Sequence, residues 1–531
     1  MNRHSSTPAP LSAPLPERSS SAERTGARLE EFRALRERGA LCTEVTEQLA
    51  AEAASAFLND YRERGEYLRD AITLLAEIAT LEEPCLSEAG QRATFPLLVE
   101  SLSDSFDPAY CDLYDRAFAQ MIAACRRLPS AQDFDRALQR FGLDSEQDLI
   151  ERKARLRKRP PMLDAGEQRR VRKVLVLSRV TLGADVAITS VVLQKAKKIF
   201  PQAEPVLLGS TKLRELFGGD AGVRIREAHY ATEGGLVERL RNWLPLLEVV
   251  EDEARGLQAH NLRPEEIVLL DPDSRFLQLG LLPALADESQ YFFFESRRYG
   301  EGTPGSLSEL TQRWLDEQFG GSDVILPSVS LREEDRAFAR ERCGALRQGG
   351  AARLIAVSCG VGGNSQKRLP DPFEERLLLE LLKDGCTVLL DKGAGGEEIE
   401  RANRLVEQVQ GAGWPVAELA PPSGLAAIVG KPLPVRLVTW QGGIGAFSAL
   451  VAESDEYIGY DSAGQHIAAA LRVPTIDVFS RNASPIFRER WRPTGRNAVK
   501  VVSECPADGA PRGLYDILGE AINLHREILR K

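Results

Sequence analysis

"VLVLSRVTLGADVAITSVVLQKAKKIFPQAEPVLLGS", residues 174–210, decides the fold. Val174 to Ser178 is a short apolar run of buried-strand type, followed by the loop "RVTLGAD". "VAITSVVLQKAKKIF" then carries apolar residues at helical spacing through Ile188, Val192, Ala196 and Ile199, and it stops at Pro201 before a second strand, "PVLLGS". Strand, helix, strand is a βαβ unit, and its right-handed crossover lays the two strands parallel.

The same pattern starts again at "RLIAVSCGVGGNSQKRLPDPFEERLLLELLKDGCTVLLDKGAGG", residues 353–396. Strand "LIAVS" leads into a Gly-rich loop and strand "CTVLLD" closes the unit. The spacing predicts a helix between them, with Asp371 as N-cap, Pro372 at its first position, Glu374 completing a capping box and Gly385 at its end. Two such starts predict an α/β protein with two Rossmann-like, doubly wound domains, 174–349 and 350–531, facing each other across a cleft. Ligands in that architecture sit at the carboxyl ends of the strands.

Upstream the texture differs. Residues 1–26 are rich in Pro and Ser and read as a disordered tail, and residues 27–159 read as an all-α domain. Leu68, Ile72, Leu75 and Ile78 fall on one helical face there, and Leu113, Phe118, Met121, Ile122 and Cys125 on another. The basic stretch "ERKARLRKRPPMLDAGEQRRVRK", residues 151–173, reads as a solvated helix end running into a linker at 160–173, with anionic lipid headgroups as an alternative contact.

A net charge of −10, from 68 basic and 78 acidic residues, argues against a nucleic-acid-binding surface. Cys42, Cys85, Cys111, Cys125, Cys343, Cys359, Cys386 and Cys505 form no CxxC pair and read as reduced thiols, with no metal site. With neither a secretory h-region nor a membrane-length apolar run in the sequence, a cytoplasmic location is expected.

Three loops fall where ligands would bind. Asp185, just beyond the first strand, is either a helix N-cap or a carboxylate able to act as general base on a hydroxyl. In "CGVGGNSQKRLPDP" the glycines let backbone N–H groups approach an anion, and Ser365, Lys367 and Arg368 add a hydroxyl and positive charge. In "GYDSAGQHIAAALRVPTIDVF", residues 459–479, a strand delivers Asp461 to the start of a helix. That helix carries Ser462, Ala463 and Gly464 at an N-terminus suited to a diphosphate. His466, in the first turn or so, either faces the cleft or packs under the loop.

These three stretches together resemble glycosyltransferase family 9, the heptosyltransferase-like enzymes of bacterial surface polysaccharide (lipopolysaccharide) synthesis, in order and spacing from residue 171 to the C-terminus. The resemblance lies in the opening strand with its small-Gly-Asp loop, in the Ser-x-Lys-Arg-x-Pro segment, and in the Asp-Ser-Gly-x-x-His-like signature. The departures are an extra Ala184 before Asp185, Leu369 in place of a tryptophan, and a glycine displaced by one in Asp461-Ser-Ala-Gly464. What it implies is a GT-B fold preceded by the all-α domain, and inverting transfer of a sugar, heptose among the candidates. The donor would be ADP-heptose or another NDP-sugar, the acceptor a lipid-linked or other glycan at the inner membrane face, with no cofactor or metal required. It also implies roles: Asp185 as catalytic base; Ser365 and Lys367 as phosphate binders; Asp461, Ser462, Gly464 and His466 as donor-binding residues; Glu398 as holder of the donor's ribose hydroxyls.

Two other classes share these features: a nucleotide-sugar epimerase of the same fold, acting on the donor alone, and a non-catalytic scaffold working through a partner of its helical domain. An NAD-dependent oxidoreductase is disfavoured, since no GxGxxG follows either opening strand.

Overall fold

The strand read at Val174–Ser178 spans Lys173–Leu177 (β1) in the computed structural model, which describes residues 20–158, 163–231, 234–258, 263, 266–362, 364–419, 436–480, 484–505 and 510–530. The chain forms two compact units. The first comprises Met1–Pro160, Ala228–Asn261 and Asp273–Glu301, the second Pro161–Glu227, Leu262–Pro272 and Gly302–Lys531.

In the second unit β1 lies between β2 (Glu204–Gly209) and β4 (Ile267–Asp271), and β2 pairs outward with β3 (Arg224–Glu227), all parallel. Every residue of β1 and β4 is buried, as continuous apolar strands in a sheet covered on both faces should be. β5 (Tyr291–Phe293) belongs to the first unit.

The second sheet is formed by β6 (Leu354–Ser358), β7 (Thr387–Asp391), β8 (Val416–Leu419), β9 (Leu437–Trp440), β10 (Glu456–Tyr460), β11 (Thr475–Phe479) and β12 (Val499–Ser503). Its order is β12-β11-β10-β6-β7-β9-β8, and its pairs are parallel. Ile355, Val388, Ile458, Ile476 and Val478 make one face of this sheet, packed with Leu377 and Leu381 from the helix Phe373–Lys383 and with Ile517 and Ala521 from Leu514–Leu529. The two doubly wound modules are those the sequence predicts. Both reverse direction in the middle: the chain moves one way from β1 to β2 and the other way to β4, and likewise from β6 to β7 and to β10. Such a reversal splays the loops at the carboxyl ends apart and leaves a crevice for a ligand.

The first unit is helical. Ile72, Leu75 and Ile78 are buried on helix Arg69–Ala79, and Leu113, Phe118, Met121, Ile122 and Cys125 on helix Pro108–Cys125. Its make-up differs from the sequence reading, which placed residues 228–261 and 273–301 in the first Rossmann-like domain. Trp243 packs edge-on against Phe134 with ring centroids 5.5 Å apart, and its indole N–H donates to Pro283 O at 2.6 Å. Glu295 accepts from Arg157 at 2.7 Å. Contacts between residues so distant along the chain leave no local pattern to read.

Three further expectations need correction. Helix formation begins at Ser21, inside the stretch read as a tail: Ser20 and Glu23 close a capping box at 3.2 and 2.8 Å, while residues 1–19 lie outside the described residues. The helix after the Gly-rich loop starts at Phe373, with Pro372 as an N-cap that makes no side-chain bond. Glu374, expected to close its capping box, is buried and binds Arg368 at 2.8 Å instead. The basic stretch is not merely solvated. Arg152 and Lys153 are each 2% exposed on helix Glu146–Arg157, which Asp115 and Glu295 hold by ion pairs; the Pro-Pro of the linker lies outside the described residues.

Candidate functional site

The loop after β1 is fixed by one carboxylate. Asp185 is fully buried, and its Oδ2 accepts from Ser178 Oγ at 2.7 Å while Oδ1 accepts from Arg179 N at 2.7 Å and Thr189 Oγ1 at 2.8 Å. It sits where the helix running from Leu182 to Ile199 widens into a π-type turn, Asp185–Thr189, an irregularity frequent at functional sites. Thr181, not Asp185, occupies the N-cap position. Burial pushes the Asp185 carboxyl up to about 6 against the opposing pull of its three hydrogen bonds.

The same loop holds Val180 at φ 78°, a left-handed backbone that a β-branched residue adopts only under constraint. The constraint is visible on both sides, because Val180 N donates to Ser178 Oγ at 2.9 Å and Arg179 Nη1 reaches Pro272 O at 2.9 Å. That second bond spans the β1/β4 switch point.

Beyond it the loop meets the second module. A Cβ on Gly183 would lie 3.2 Å from Ala463 Cα and 3.3 Å from the His466 ring, so glycine is what lets the backbone approach helix Ala463–Ala470 so closely. His466 is thus packed under the loop, edge-on to Trp491 with centroids 6.0 Å apart. Burial lowers it to about 4, which keeps the imidazole neutral near pH 7.

The loops after β6 and β10 meet at the other switch point. Lys367 Nζ binds Asp461 Oδ2 at 2.6 Å and lies 5.5 Å from the centre of the Phe487 ring. Asp461 Oδ1 accepts from Gln465 Nε2 at 2.9 Å. Asn364 Oδ1 caps the short turn at Gln366 N, and Ser480 Oγ donates to Gln366 O at 2.7 Å, so Lys367 rises from a braced segment. Ser462 is the N-cap of helix Ala463–Ala470 and makes no side-chain cap bond, which leaves backbone donors at that end for a ligand. Gly464 permits the tight packing beneath: a Cβ there would fall 2.1 Å from Tyr457 Oη.

Glu398 faces a different set of groups. Its Oε1 accepts from Val361 N at 2.9 Å and Gly362 N at 3.1 Å, and its Oε2 from Ala394 N at 3.3 Å, tying the loops after β6 and β7 together. Ser365 is exposed at the surface of the turn that carries Lys367. Asp185, Gly183, His466, Asp461 and Lys367 therefore lie along one series of contacts, and Glu398 and Ser365 border it on the Gly-rich loop.

Sequence reasoning missed Gln465 and Asp477. The signal for Asp477 was present: an acid inside the apolar strand "TIDVF" whose every residue is buried. Among the described residues no three His, Cys, Asp or Glu side chains gather as a metal-ligand set, and no helix is long and apolar enough to cross a membrane.

No family model and no curated protein matches the chain. Among solved structures, it is similar to the glycosyl transferase family 9 protein from Veillonella parvula DSM 2008, at 16% identity and TM-score 0.49 over 70% of this chain and 99% of that one. It is similar also to E. coli ADP-heptose lps heptosyltransferase II (16%, TM-score 0.43) and to E. coli heptosyltransferase WaaC with ADP (18%, TM-score 0.42), each over 67% of this chain and 99% of the other.

Proposed function

We propose that this protein is an inverting glycosyltransferase that moves a sugar from a nucleoside-diphosphate donor to an acceptor hydroxyl. The observation that carries the reading is the Lys367 ammonium beside the uncapped start of helix Ala463–Ala470, at the switch point of the second sheet. A cation and free backbone N–H groups at one strand edge form a diphosphate site. On the other side of the Gly183 contact, Asp185 supplies a carboxylate raised to about 6, near the range in which a general base works best at neutral pH.

In the transfer, the acceptor O–H gives its proton to Asp185 as its oxygen bonds to the anomeric carbon. The bond from that carbon to the diphosphate oxygen breaks with its electron pair, and Lys367 and the helix start receive the charge. Asp185 is fully buried in the structure, so this step requires the loop that carries it to open. Ser462, Gly464 and His466 shape the donor pocket and Ser365 adds a hydroxyl to it. Glu398 exchanges its backbone partners for the ribose hydroxyls. Heptose leads among candidate sugars, with a lipid-linked or other glycan acceptor at the inner face of the membrane, and the reaction needs no metal or cofactor.

The full set of bonds on Asp185 favours a second reading, in which that carboxylate is a strut and the fold binds a nucleotide without transfer. Calorimetric titration with ADP, GDP, UDP, CDP and NAD, repeated on Lys367→Ala, tests the shared part. Selective, Lys367-dependent binding of one nucleoside diphosphate is expected; no binding of any of them removes the donor site. Transfer from the matching NDP-sugar, lost in Asp185→Asn, then separates the enzyme from the strut.

A further inference from the structure

Asp477 stands in the middle of β11, between β10 and β12, and is fully buried. Neither of its carboxyl oxygens has a hydrogen-bond partner among the described residues. Its neighbours Ile476 and Val478 point into the apolar face packed by helix Leu514–Leu529, so Asp477 points to the opposite face, the side of helix Ala463–Ala470. In register it lies beside Gly459, and Asp461 is two residues further along on the same side as Gly459. A Cβ on Gly459 would fall 2.5 Å from Tyr457 Oη, so the Tyr457 hydroxyl shares that face with the two carboxyls.

We propose that Asp477 is a positioning residue of the nucleotide site, holding a proton that it offers to Asp461 so that Lys367 can leave that carboxylate for a diphosphate. The proposal rests on the donor-site reading above. In the structure Lys367 is committed to Asp461 at 2.6 Å, and a lysine held so cannot also neutralise a phosphate at full strength. If it leaves, Asp461, only 5% exposed, keeps Gln465 Nε2 as its one other side-chain partner among the described residues, and a buried anion so poorly matched resists the exchange. A neutral Asp477 carboxyl donates its O–H to an Asp461 oxygen at that moment. The pair then shares one proton, as closely placed buried carboxyls do, and no proton is taken from solvent.

The charged and titratable surroundings agree. Asp461 and Lys367 act on Asp477 directly, and Tyr457 faces it from β10. His466, on the overlying helix, feels Asp461 and Lys367 and stays neutral. β12 presents Val501 in register, and helix Leu514–Leu529 meets β11 through apolar side chains. Burial, with Asp461 adding to it and Lys367 opposing, pushes the Asp477 carboxyl well above its ordinary value.

The test compares wild type with Asp477→Asn and Asp477→Leu, titrating ADP, GDP, UDP and CDP calorimetrically from pH 6 to 9. Asn keeps a donor and cannot ionise, so its affinity should stay within about twofold of wild type and remain flat with pH. Leu lacks the donor and should bind about tenfold more weakly, while wild-type affinity should fall at the alkaline end. Infrared difference spectra between wild type and Asp477→Asn should show a protonated-carboxyl C=O band at pH 7. Leu binding like wild type at every pH, a pH profile unchanged in Asn, or a missing band would each overturn the proposal. If wild type binds no nucleoside diphosphate, the donor site falls and this role with it; the infrared band still reports separately whether Asp477 holds its proton.

Discussion

Two buried clusters of charge in this protein are built on opposite plans. In the helical unit Lys153 Nζ is shared between Asp115 at 2.6 Å and Glu295 at 3.1 Å, and Arg157 binds the same two carboxylates at 2.7 Å each. Asp115 and Glu295 each have two cations there, Lys153 has two anions, and Arg157 has a third in Asp112 at 2.9 Å. Around β10 and β11 one lysine, with a third of its side chain exposed, serves Asp461, and Asp477 beneath has no hydrogen-bond partner among the described residues. Carboxylates each paired to two cations have little left to offer a ligand and read as structure. A lysine a third in solvent over surplus buried carboxyls has a bond to exchange, which is what a site for a charged substrate requires.

The comparison can be broken at several points. Lys153→Met leaves two buried carboxylates with one of their two shared cations gone and should lower the unfolding free energy by about 3 kcal/mol. Denaturant titration measures it, and a loss below about 1 kcal/mol would mean that water already reaches the cluster.

Asp185→Asn should reduce transfer by about 10²-fold or more while nucleoside-diphosphate affinity stays put, read by initial rates beside calorimetry. The same variant tests the carboxyl's environment. Raised from 3.8 to about 6 in the fold, Asp185 contributes stability that is full below about pH 4 and is lost as pH rises through 6. Thermal unfolding across that window should fall less steeply in the Asn variant than in wild type.

Lys367→Ala should weaken diphosphate binding by about 10- to 100-fold, the range of a lost charge-assisted bond, and an unchanged affinity would take Lys367 out of the site. Ser20→Ala, at the corrected start of the first helix, should cost about 1 kcal/mol in chemical denaturation; no change would return that cap to the tail.

Much of the candidate site's placement at strand ends was legible before the fold. The strand ends carrying Asp185, Lys367 and Asp461 follow from short apolar runs and their breakers, because those patterns act over a few neighbouring residues. Gly385, placed at a helix end from sequence, does take φ 82° there. The Glu374 capping box failed because Arg368 competes for that carboxylate in a buried pocket, a contest that composition does not reveal.

By itself the sequence determined two βαβ starts, the helical region ahead of them and the three loops where chemistry gathers, since each is written in local periodicity and turn chemistry. Only the tertiary structure decided how those loops spend their charges. Asp185 turns inward onto Ser178, Arg179 and Thr189, Lys367 finds Asp461 across 94 residues of chain, and Asp477 is left without a hydrogen-bond partner among the described residues. It also drew residues 273–301 into the helical unit, where Glu295 pairs with Lys153 and Arg157. Hydrogen bonding and desolvation act on groups brought together through space, and the spacing of residues along the chain carries no record of either.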